Sequence, residues 1–279
     1  LKKLELQTNQ LSGPIPESIV NLVNLETLSL NDNQLTGVIP ESIGGLTELR
    51  TLELYKNELN DEIPESIGDL FNLTVLNIGE NQLSGSIPES IGNLLELKKL
   101  GLYNNQLTGS IPEELGYLAN LEYLNLRGNQ LTGEIPENIG DLENVAILML
   151  NSNQLNGYIP ESIGGLHKLT TLKLFQNELS GVIPESICAL EHVVFTLEDK
   201  YKKSNIFDNH LCPPYISCFN YIGQQLSESC QYDFCPLDYK EINGECYYQK
   251  DLRVLQDFID NNTSLEGKKP HEIGVQKWK

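Results

Sequence analysis

The stretch "LRTLELYKNELNDEIPESIGDL" (residues 49–70) decides the expected fold, because close copies of it recur along the chain at a constant interval. Each copy carries an asparagine at the position of Asn57 and an Ile-Pro-Glu triplet at the position of Ile63 to Glu65. The asparagines are Asn9, Asn33, Asn57, Asn81, Asn105, Asn129, Asn153 and Asn177. A fixed period of roughly 20 to 50 residues indicates a solenoid, in which each repeat is one coil stacked on the next.

The leucine spacing within the unit predicts which side chains form the core. Leu52 and Leu54 are separated by a single position, so on a short strand both point to the same side. The rest of the coil closes around that core with Leu59, Ile63, Ile67 and Leu70. We therefore expect residues 1 to about 211 to form one right-handed solenoid, with a parallel sheet of roughly nine short strands on its concave side.

Three further recurrent features have structural explanations. The asparagines are expected to point inward and bond backbone groups of adjacent coils, because a carboxamide both donates and accepts. A glycine such as Gly37 suits a bend with unusual dihedral angles. A pair such as Pro64-Glu65 fits the first turn of a short helix. The resulting column of glutamates is interpreted as solvated capping, since one carboxylate per coil does not make a calcium cage.

The unit LxxLxLxxNxLxGxIPxxIGxL resembles the plant-type leucine-rich repeat of receptor-kinase ectodomains and polygalacturonase-inhibiting proteins, which also occurs in bacterial and marine repeat arrays. The resemblance covers about residues 1–218. It implies an α/β repeat solenoid of 24-residue coils with a small cysteine-containing C-terminal region. It also implies an extracellular or cell-surface protein that binds a protein, peptide or glycan on the concave side.

The chain is expected to have three regions. Residues 1–218 are the solenoid with an irregular C-terminal capping repeat, and residues 219–245 are a cysteine-containing linker. Residues 246–279 form a helical segment that resembles the N-terminal cap of a further repeat block. A small helical appendage is the alternative for that last region.

The ninth copy of the unit is irregular. The step from Asn177 to Asn209 is longer than the constant step that separates the other asparagines of the series. The extra residues fall around the polar stretch 196–205, which we expect to form a protruding loop.

All cysteines lie in the C-terminal third, at Cys188, Cys212, Cys218, Cys230, Cys235 and Cys246. A cluster of this kind after a long cysteine-free stretch indicates disulfide stapling in an oxidising compartment. By its resemblance to the cysteine-bearing caps of the family, Cys218 is expected to bond either Cys188 or Cys212, and the sequence leaves both pairings open.

Composition excludes several functions. The formal net charge of −20 argues against binding to nucleic acid or anionic membranes, which needs clustered lysine and arginine. No run approaches the roughly 20 apolar residues of a membrane span. The histidines show no metal-ligand spacing, and no phosphate-binding loop or nucleophile motif occurs. We therefore expect no enzymatic activity, no catalytic or metal-binding residue and no cofactor.

Three strand positions per coil point away from the core onto the concave sheet. In the early coils these positions are mostly polar, whereas from the fifth coil aromatic, apolar and arginine side chains converge. Such residues are enriched at interface cores. The expected ligand-contact centre is Tyr103, Tyr123, Arg127, Ile147, Met149 and Phe175, with Tyr55 as an outlier nearer the N-terminal rim. The alternative is that these side chains only stabilise neighbouring strands.

The resulting functional hypothesis is a non-enzymatic module that recognises a protein, peptide or glycan. A rigid structural or adhesive spacer is one alternative. An ice-binding surface is another, because serine and threonine columns resemble a flat polar lattice, although Asn60 and Asn156 interrupt them. Partner identity and oligomeric state do not follow from the sequence.

Three N-x-Ser/Thr motifs mark possible glycosylation acceptors, at Asn72, Asn261 and Asn262. Three matches in a chain of this length are close to chance, so they add little to the choice of compartment.

Overall fold

The computed structural model describes residues 1–193, 204–206, 208–211, 239–242 and 245–248. The chain forms two compact units, Leu1–Leu226 and Ser227–Lys279. The boundary between them falls inside the expected linker. The loop expected around 196–205, the cysteine linker and the helical segment lie largely outside the described residues, so those expectations stay predictions.

In the second unit, the described residues form an antiparallel hairpin of Tyr239–Ile242 and Glu245–Tyr248. Its second strand spans position 246, where we placed the start of the helical segment. The hairpin is therefore a strand pair where the sequence suggested a change from linker to helix.

The first unit is a solenoid whose main sheet has eight parallel strands, one from each regular coil. Neighbours pair in strict register, as in Leu28 with Leu52 and Leu52 with Leu76. The strands are Lys3–Glu5, Thr27–Ser29, Thr51–Glu53, Val75–Asn77, Lys99–Gly101, Tyr123–Asn125, Ile147–Met149 and Thr171–Lys173. A ninth rung is reduced to a single parallel bridge between Lys173 and Asn205. The predicted repeat fold with its parallel sheet is confirmed.

A second sheet, which the sequence did not predict, runs along the coils after the asparagines. It has four parallel strands, Ser12–Gly13, Gln34–Gly37, Glu58–Glu62 and Gln82–Ser84. The same backbone pairing continues in later coils, where the Thr132 amide donates to the Gly109 carbonyl at 2.8 Å. In the last coils, Ser180–Gly181 pairs with His210–Leu211.

Each of the eight Ile-Pro-Glu triplets leads into a short 3₁₀ helix. The helices are Glu17–Asn21, Glu41–Gly45, Glu65–Asp69, Glu89–Asn93, Glu113–Tyr117, Glu137–Asp141, Glu161–Gly165 and Glu185–Ala189. Proline occupies the position before each helix with an extended backbone, as at Pro64 (φ −66°, ψ 142°). The glutamate that follows is exposed in every coil, in keeping with its predicted capping role.

One continuous apolar core runs from Ile15 to Leu211. The residues expected to fill it in the third coil are at most 4% exposed, namely Leu52, Leu54, Leu59, Ile63, Ile67 and Leu70. The leucine period therefore predicted the interior correctly.

The inward asparagines form the expected ladder between coils. Asn57 donates through Nδ2 to the carbonyls of Leu54 and Leu30, both at 3.0 Å. Its Oδ1 accepts the Leu35 amide at 3.0 Å. Asn209 of the irregular coil repeats this pattern with Leu174, Ile206 and Leu179, so it is the ninth member of the ladder.

Close approach between successive 3₁₀ helices explains the glycine at the fourth position of the second to seventh helices. A Cβ added at Gly68 would lie 2.4 Å from the Ser90 carbonyl oxygen of the next coil. Cys188 occupies this position in the eighth coil and is disulfide-bonded. The side chains of the other cysteines lie outside the described residues, so the predicted stapling of the whole segment stays a prediction.

Candidate ligand-binding face

The main sheet presents three outward side chains per coil. They are the first and third strand residues and the residue two positions beyond the strand, such as Thr51, Glu53 and Tyr55. We call this surface the sheet face, and we number the coils by their asparagines, so that coil 5 contains Asn105. The period-two alternation of the strand places all candidate binding residues on this one surface.

Tyr103 lies flat across the preceding coil. A Cβ added at Gly79 would be 2.5 Å from Cε1 of the Tyr103 ring, so the ring occupies the space that a side chain at position 79 would fill. Burial of the phenol and the nearby Glu80 carboxylate raise the pKa of Tyr103 above its usual value. A hydrogen bond from Asn77 acts in the opposite direction but is outweighed. Tyr55 and Tyr123 are close enough to raise this pKa as well.

Tyr123 is fixed by a neighbour on its own strand. Asn125 donates from Nδ2 to the Tyr123 hydroxyl at 2.8 Å, and its Oδ1 accepts the Arg127 backbone amide at 3.1 Å. Asn125 is itself 6% exposed, so its side chain is held in place by the sheet. The phenol of Tyr123 is therefore oriented before any ligand arrives.

Apolar side chains lie directly beside Tyr123. Its sheet neighbours are Lys99 in one direction and Ile147 in the other, while Asn125 is paired with Met149. Adjacent strands are about 4.8 Å apart. Ile147 and Met149 are half-buried and Arg127 is exposed. Coils 5 to 7 thus present a patch with an aromatic and apolar centre and a cationic margin.

The structure brings together five of the seven predicted residues, Tyr103, Tyr123, Arg127, Ile147 and Met149, on three successive coils. Tyr55 is half-buried two coils away from Tyr103, as expected for an outlier.

Phe175 does not lie open on this face, and the expectation that it does is wrong: it is only 3% exposed, and Lys173 beside it only 6%. Both of these buried residues belong to the last regular coil. The residues that stack next on this coil, Ser204 to Ile206, follow after a longer stretch of chain than in the other coils, and Ser204 accepts the Leu172 amide at 2.8 Å. Phe175 belongs to the closing end of the stack.

Charge is segregated around the coil, and the sequence reasoning missed this. From each ladder asparagine to the residue fourteen positions later, as in 33–47 or 57–71, no coil contains a lysine or arginine. That arc carries only acidic charges, including the exposed glutamates of the 3₁₀ helices. The sequence does carry a signal of this charge segregation: lysine and arginine are absent from these fifteen positions in all eight successive coils.

All lysines and arginines of residues 1–193 therefore lie on the strand side, among the residues that precede each ladder asparagine. Coils 1 to 4 place Lys2, Lys3, Arg50 and Lys56 there against Glu5, Glu26, Asp32, Glu48, Glu53 and Glu80. Coils 5 to 8 place Lys98, Lys99, Arg127, Lys168 and Lys173 there against Glu96 and Glu122. The strand side changes from an acidic to a basic balance where the tyrosine patch begins.

In the part of the chain that the structure describes, no three histidine, cysteine, aspartate or glutamate side chains come together in a way that could hold a metal ion. Within the same residues, no helix is both long and apolar enough to cross a membrane.

Stacked coils of constant length with an inward asparagine ladder and an open parallel sheet define a repeat protein of the leucine-rich class. The sequence profile of the family "Leucine rich repeat" matches residues 1–59 and 64–131, and a second profile of the same name matches residues 168–190. The chain belongs to the leucine-rich repeat family. No curated protein matches it in sequence.

Similar solved structures confirm the plant-type character of the repeat. The plant peptide hormone receptor RGFR1, solved in complex with RGF2, is 36% identical with a TM-score of 0.72, over 78% of this chain and 35% of that one. The Arabidopsis receptor kinase HAESA, solved with the peptide hormone IDA and the co-receptor SERK1, is 31% identical with a TM-score of 0.73, over 88% of this chain and 39% of that one. The chain thus spans little more than a third of these receptors.

A plant ice-binding protein shares the fold as well. It is 28% identical with a TM-score of 0.56, over 75% of this chain and 73% of that one. The fold alone therefore accommodates different functions.

Proposed function

We propose that the chain is a non-enzymatic recognition module that binds an extended peptide or protein segment on the sheet face. The observation that carries this proposal is the preorganised tyrosine pair, with Tyr103 seated on Gly79 and Tyr123 held by Asn125. Rigid aromatic side chains lose little conformational freedom on binding and are common binding hot spots.

The charge distribution supports the same surface. An acidic ligand group is repelled by the acidic arc that follows each ladder asparagine. It is attracted to the strand side of coils 5 to 8, where Lys99 and Arg127 flank Tyr123. The peptides bound in the RGFR1 and HAESA complexes are further support for a peptide ligand. The proposed ligand places apolar side chains against Ile147 and Met149 and an acidic group near Arg127.

The test is to pan a phage-displayed library of random peptides on the immobilised full-length chain and to measure the affinity of the recovered peptides. Tyr123→Ala should weaken their binding about tenfold, equivalent to about 1.4 kcal/mol. The matched control is Tyr117→Ala, because Tyr117 is 61% exposed but lies on a 3₁₀ helix away from the sheet face.

Equal affinities for Tyr123→Ala and the unaltered chain would place the site elsewhere. A library that yields no peptide at all would favour the rigid-spacer alternative.

We further propose that the protein works outside the cell with its cysteines oxidised. Cys188 is already disulfide-bonded in the structure, and small cysteine-rich ends are typical of oxidising compartments. Intact-mass measurement of the secreted chain should show three disulfides. Six free thiols in a stable secreted sample would contradict both the stapling and the extracellular placement.

Ice binding is a second candidate, favoured by the similarity to the plant ice-binding protein and by the serine and threonine columns of the second sheet. Two charged side chains weaken it. Glu62 lies against Gly85 and Glu134 against Gly157, so both project along this sheet. An assay of ice recrystallisation decides the matter: inhibition that is lost in Thr108→Glu would support ice binding, and no inhibition would reject it.

A further inference from the structure

One column at the turn that leads into the main sheet contains four asparagines, Asn24, Asn72, Asn120 and Asn144. Asn72, Asn120 and Asn144 each donate from Nδ2 to a backbone carbonyl of the preceding coil, at 2.9, 2.9 and 2.7 Å. The acceptors are Thr47, Leu95 and Ala119. These side chains lie at the surface, and Asn72 and Asn120 are exposed. The three positions therefore offer the same geometry in different sequence contexts.

Asn72 is the member of this column that also carries an acceptor motif. It is followed by Leu73 and Thr74, whereas Asn120 is followed by Leu121 and Glu122. N-x-Ser/Thr with x other than proline is the motif for N-glycosylation on the surface of secreted proteins. The geometry of the column and the motif coincide at Asn72.

The hydrogen bond of Asn72 is compatible with a glycan. A carboxamide nitrogen has two protons, and the bond to Thr47 uses one of them. Substitution of the other proton by a sugar leaves a secondary amide that still donates. Thr74 donates from Oγ1 to the Arg50 carbonyl at 2.8 Å, and the buried Leu73 anchors the segment in the core.

Two apolar side chains are exposed near Asn72, whose equivalents in the adjacent coils are the exposed Glu48 and Glu96. Phe71 precedes Asn72, and Leu95 holds the place equivalent to Phe71 in the next coil; each is 56% exposed. Adjacent exposed apolar side chains on a protein surface are often covered by a binding partner or an attached group. The apolar faces of the first sugar rings of a glycan at Asn72 would supply one.

We propose that Asn72 is an N-linked glycan attachment site that is filled when the chain passes through a secretory compartment. The donor is an oligosaccharide on a polyprenyl diphosphate. Nδ2 forms a bond to C1 of the first sugar as the bond from C1 to the diphosphate oxygen breaks, and one amide proton is released. The proposal rests on the extracellular placement proposed above.

The experiment is to secrete the full-length chain from eukaryotic cells with Asn261→Gln and Asn262→Gln, which remove the other two motifs. Peptide mapping after enzymatic glycan release should find aspartate at position 72, the product of removing a glycan from asparagine. Thr74→Ser should retain the glycan, and Thr74→Ala should lose it.

A matched gain-of-site variant tests the geometry itself. Glu122→Thr completes the motif at Asn120, whose bond to Leu95 copies that of Asn72, and should add a second glycan. Folded, secreted protein with unmodified Asn72 would overturn the proposal. Peptide binding measured on the same sample keeps the two proposals apart, since loss of the glycan with retained Tyr123-dependent binding would count only against the glycan site.

Discussion

Asn105 accepts the Leu83 backbone amide through Oδ1 at 3.0 Å, while its Nδ2 donates to the carbonyls of Leu102 and Ile78 at 3.0 and 3.2 Å. Leu83 and Ile78 belong to the preceding coil. One buried carboxamide therefore satisfies backbone groups of two coils, in an interior where an unpaired polar group is costly.

Replacing this residue by an apolar one of similar size should destabilise the solenoid. Asn105→Leu leaves the Leu83 amide without its acceptor and should lower the free energy of unfolding by about 1–3 kcal/mol. Denaturant unfolding monitored by circular dichroism measures the change. The control is Gln106→Leu at the exposed neighbour. An unchanged denaturant midpoint for Asn105→Leu would mean that water replaces the hydrogen bonds of Asn105 without loss of stability.

Two adjacent glycines should respond differently to the same substitution. A Cβ at Gly164 would lie 2.4 Å from the Ser186 carbonyl oxygen, whereas one at Gly165 would meet only the Gly140 oxygen at 3.3 Å. Gly164→Ala should therefore cost about 1–3 kcal/mol through overpacking, and Gly165→Ala much less. Thermal unfolding of both variants provides the comparison, and equal melting temperatures would refute the close-packing explanation.

Tyr103 should make the fold sensitive to alkaline pH. Its pKa is raised by burial and by Glu80, so the folded state keeps the phenol proton to higher pH than the unfolded state does. The associated stability is complete below the unfolded pKa of about 10 and is lost as pH rises through the folded value.

Titration of tyrosinate absorbance should show one group ionising late, and that group should disappear in Tyr103→Phe but not in Tyr117→Phe. In Tyr103→Phe the unfolding free energy should also fall less steeply above about pH 10. A late group that survives in Tyr103→Phe would assign the shift to another tyrosine.

Phe175 should behave as a core residue. Because it is 3% exposed, Phe175→Ala should lower the unfolding free energy by about 3–5 kcal/mol. Tyr123→Ala, which truncates a half-buried residue, should cost clearly less. Denaturant unfolding of the two variants compares them. Wild-type stability for Phe175→Ala would restore it as a candidate contact residue.

The sequence predicted the interior well because the core depends on local periodicity. Leu52 and Leu54 repeat with the strand, so each coil reports its own inward side. The second sheet was missed for the opposite reason: pairs such as Ser12 with Gln34 are backbone contacts set by the stacking of coils, and no side-chain period marks them.

The candidate site was predictable only in part. Membership of the sheet face followed from alternation, which placed Tyr103 and Tyr123 correctly. The orientation of Tyr103 depends on Gly79 of the preceding coil, so it follows only when the two coils are compared. The 3% exposure of Phe175 did not follow from alternation, which assigns Phe175 to the sheet face in the same way as Tyr103.

The asparagine ladder determines the order in which the backbone hydrogen bonds of the coils can be completed during synthesis. From Asn33 onward, each ladder asparagine bonds backbone groups of the coil before its own, as Asn57 does with Leu35 and Leu30. During synthesis, a buried backbone amide of one coil therefore has no asparagine acceptor until the following coil has left the ribosome. The eighth coil waits longest, because Asn209 follows Asn177 after the longest step of the series and still accepts the Leu179 amide at 3.1 Å. A nascent chain stopped just short of Asn209 would leave that amide unpaired, even though every residue of the eighth coil had already been made.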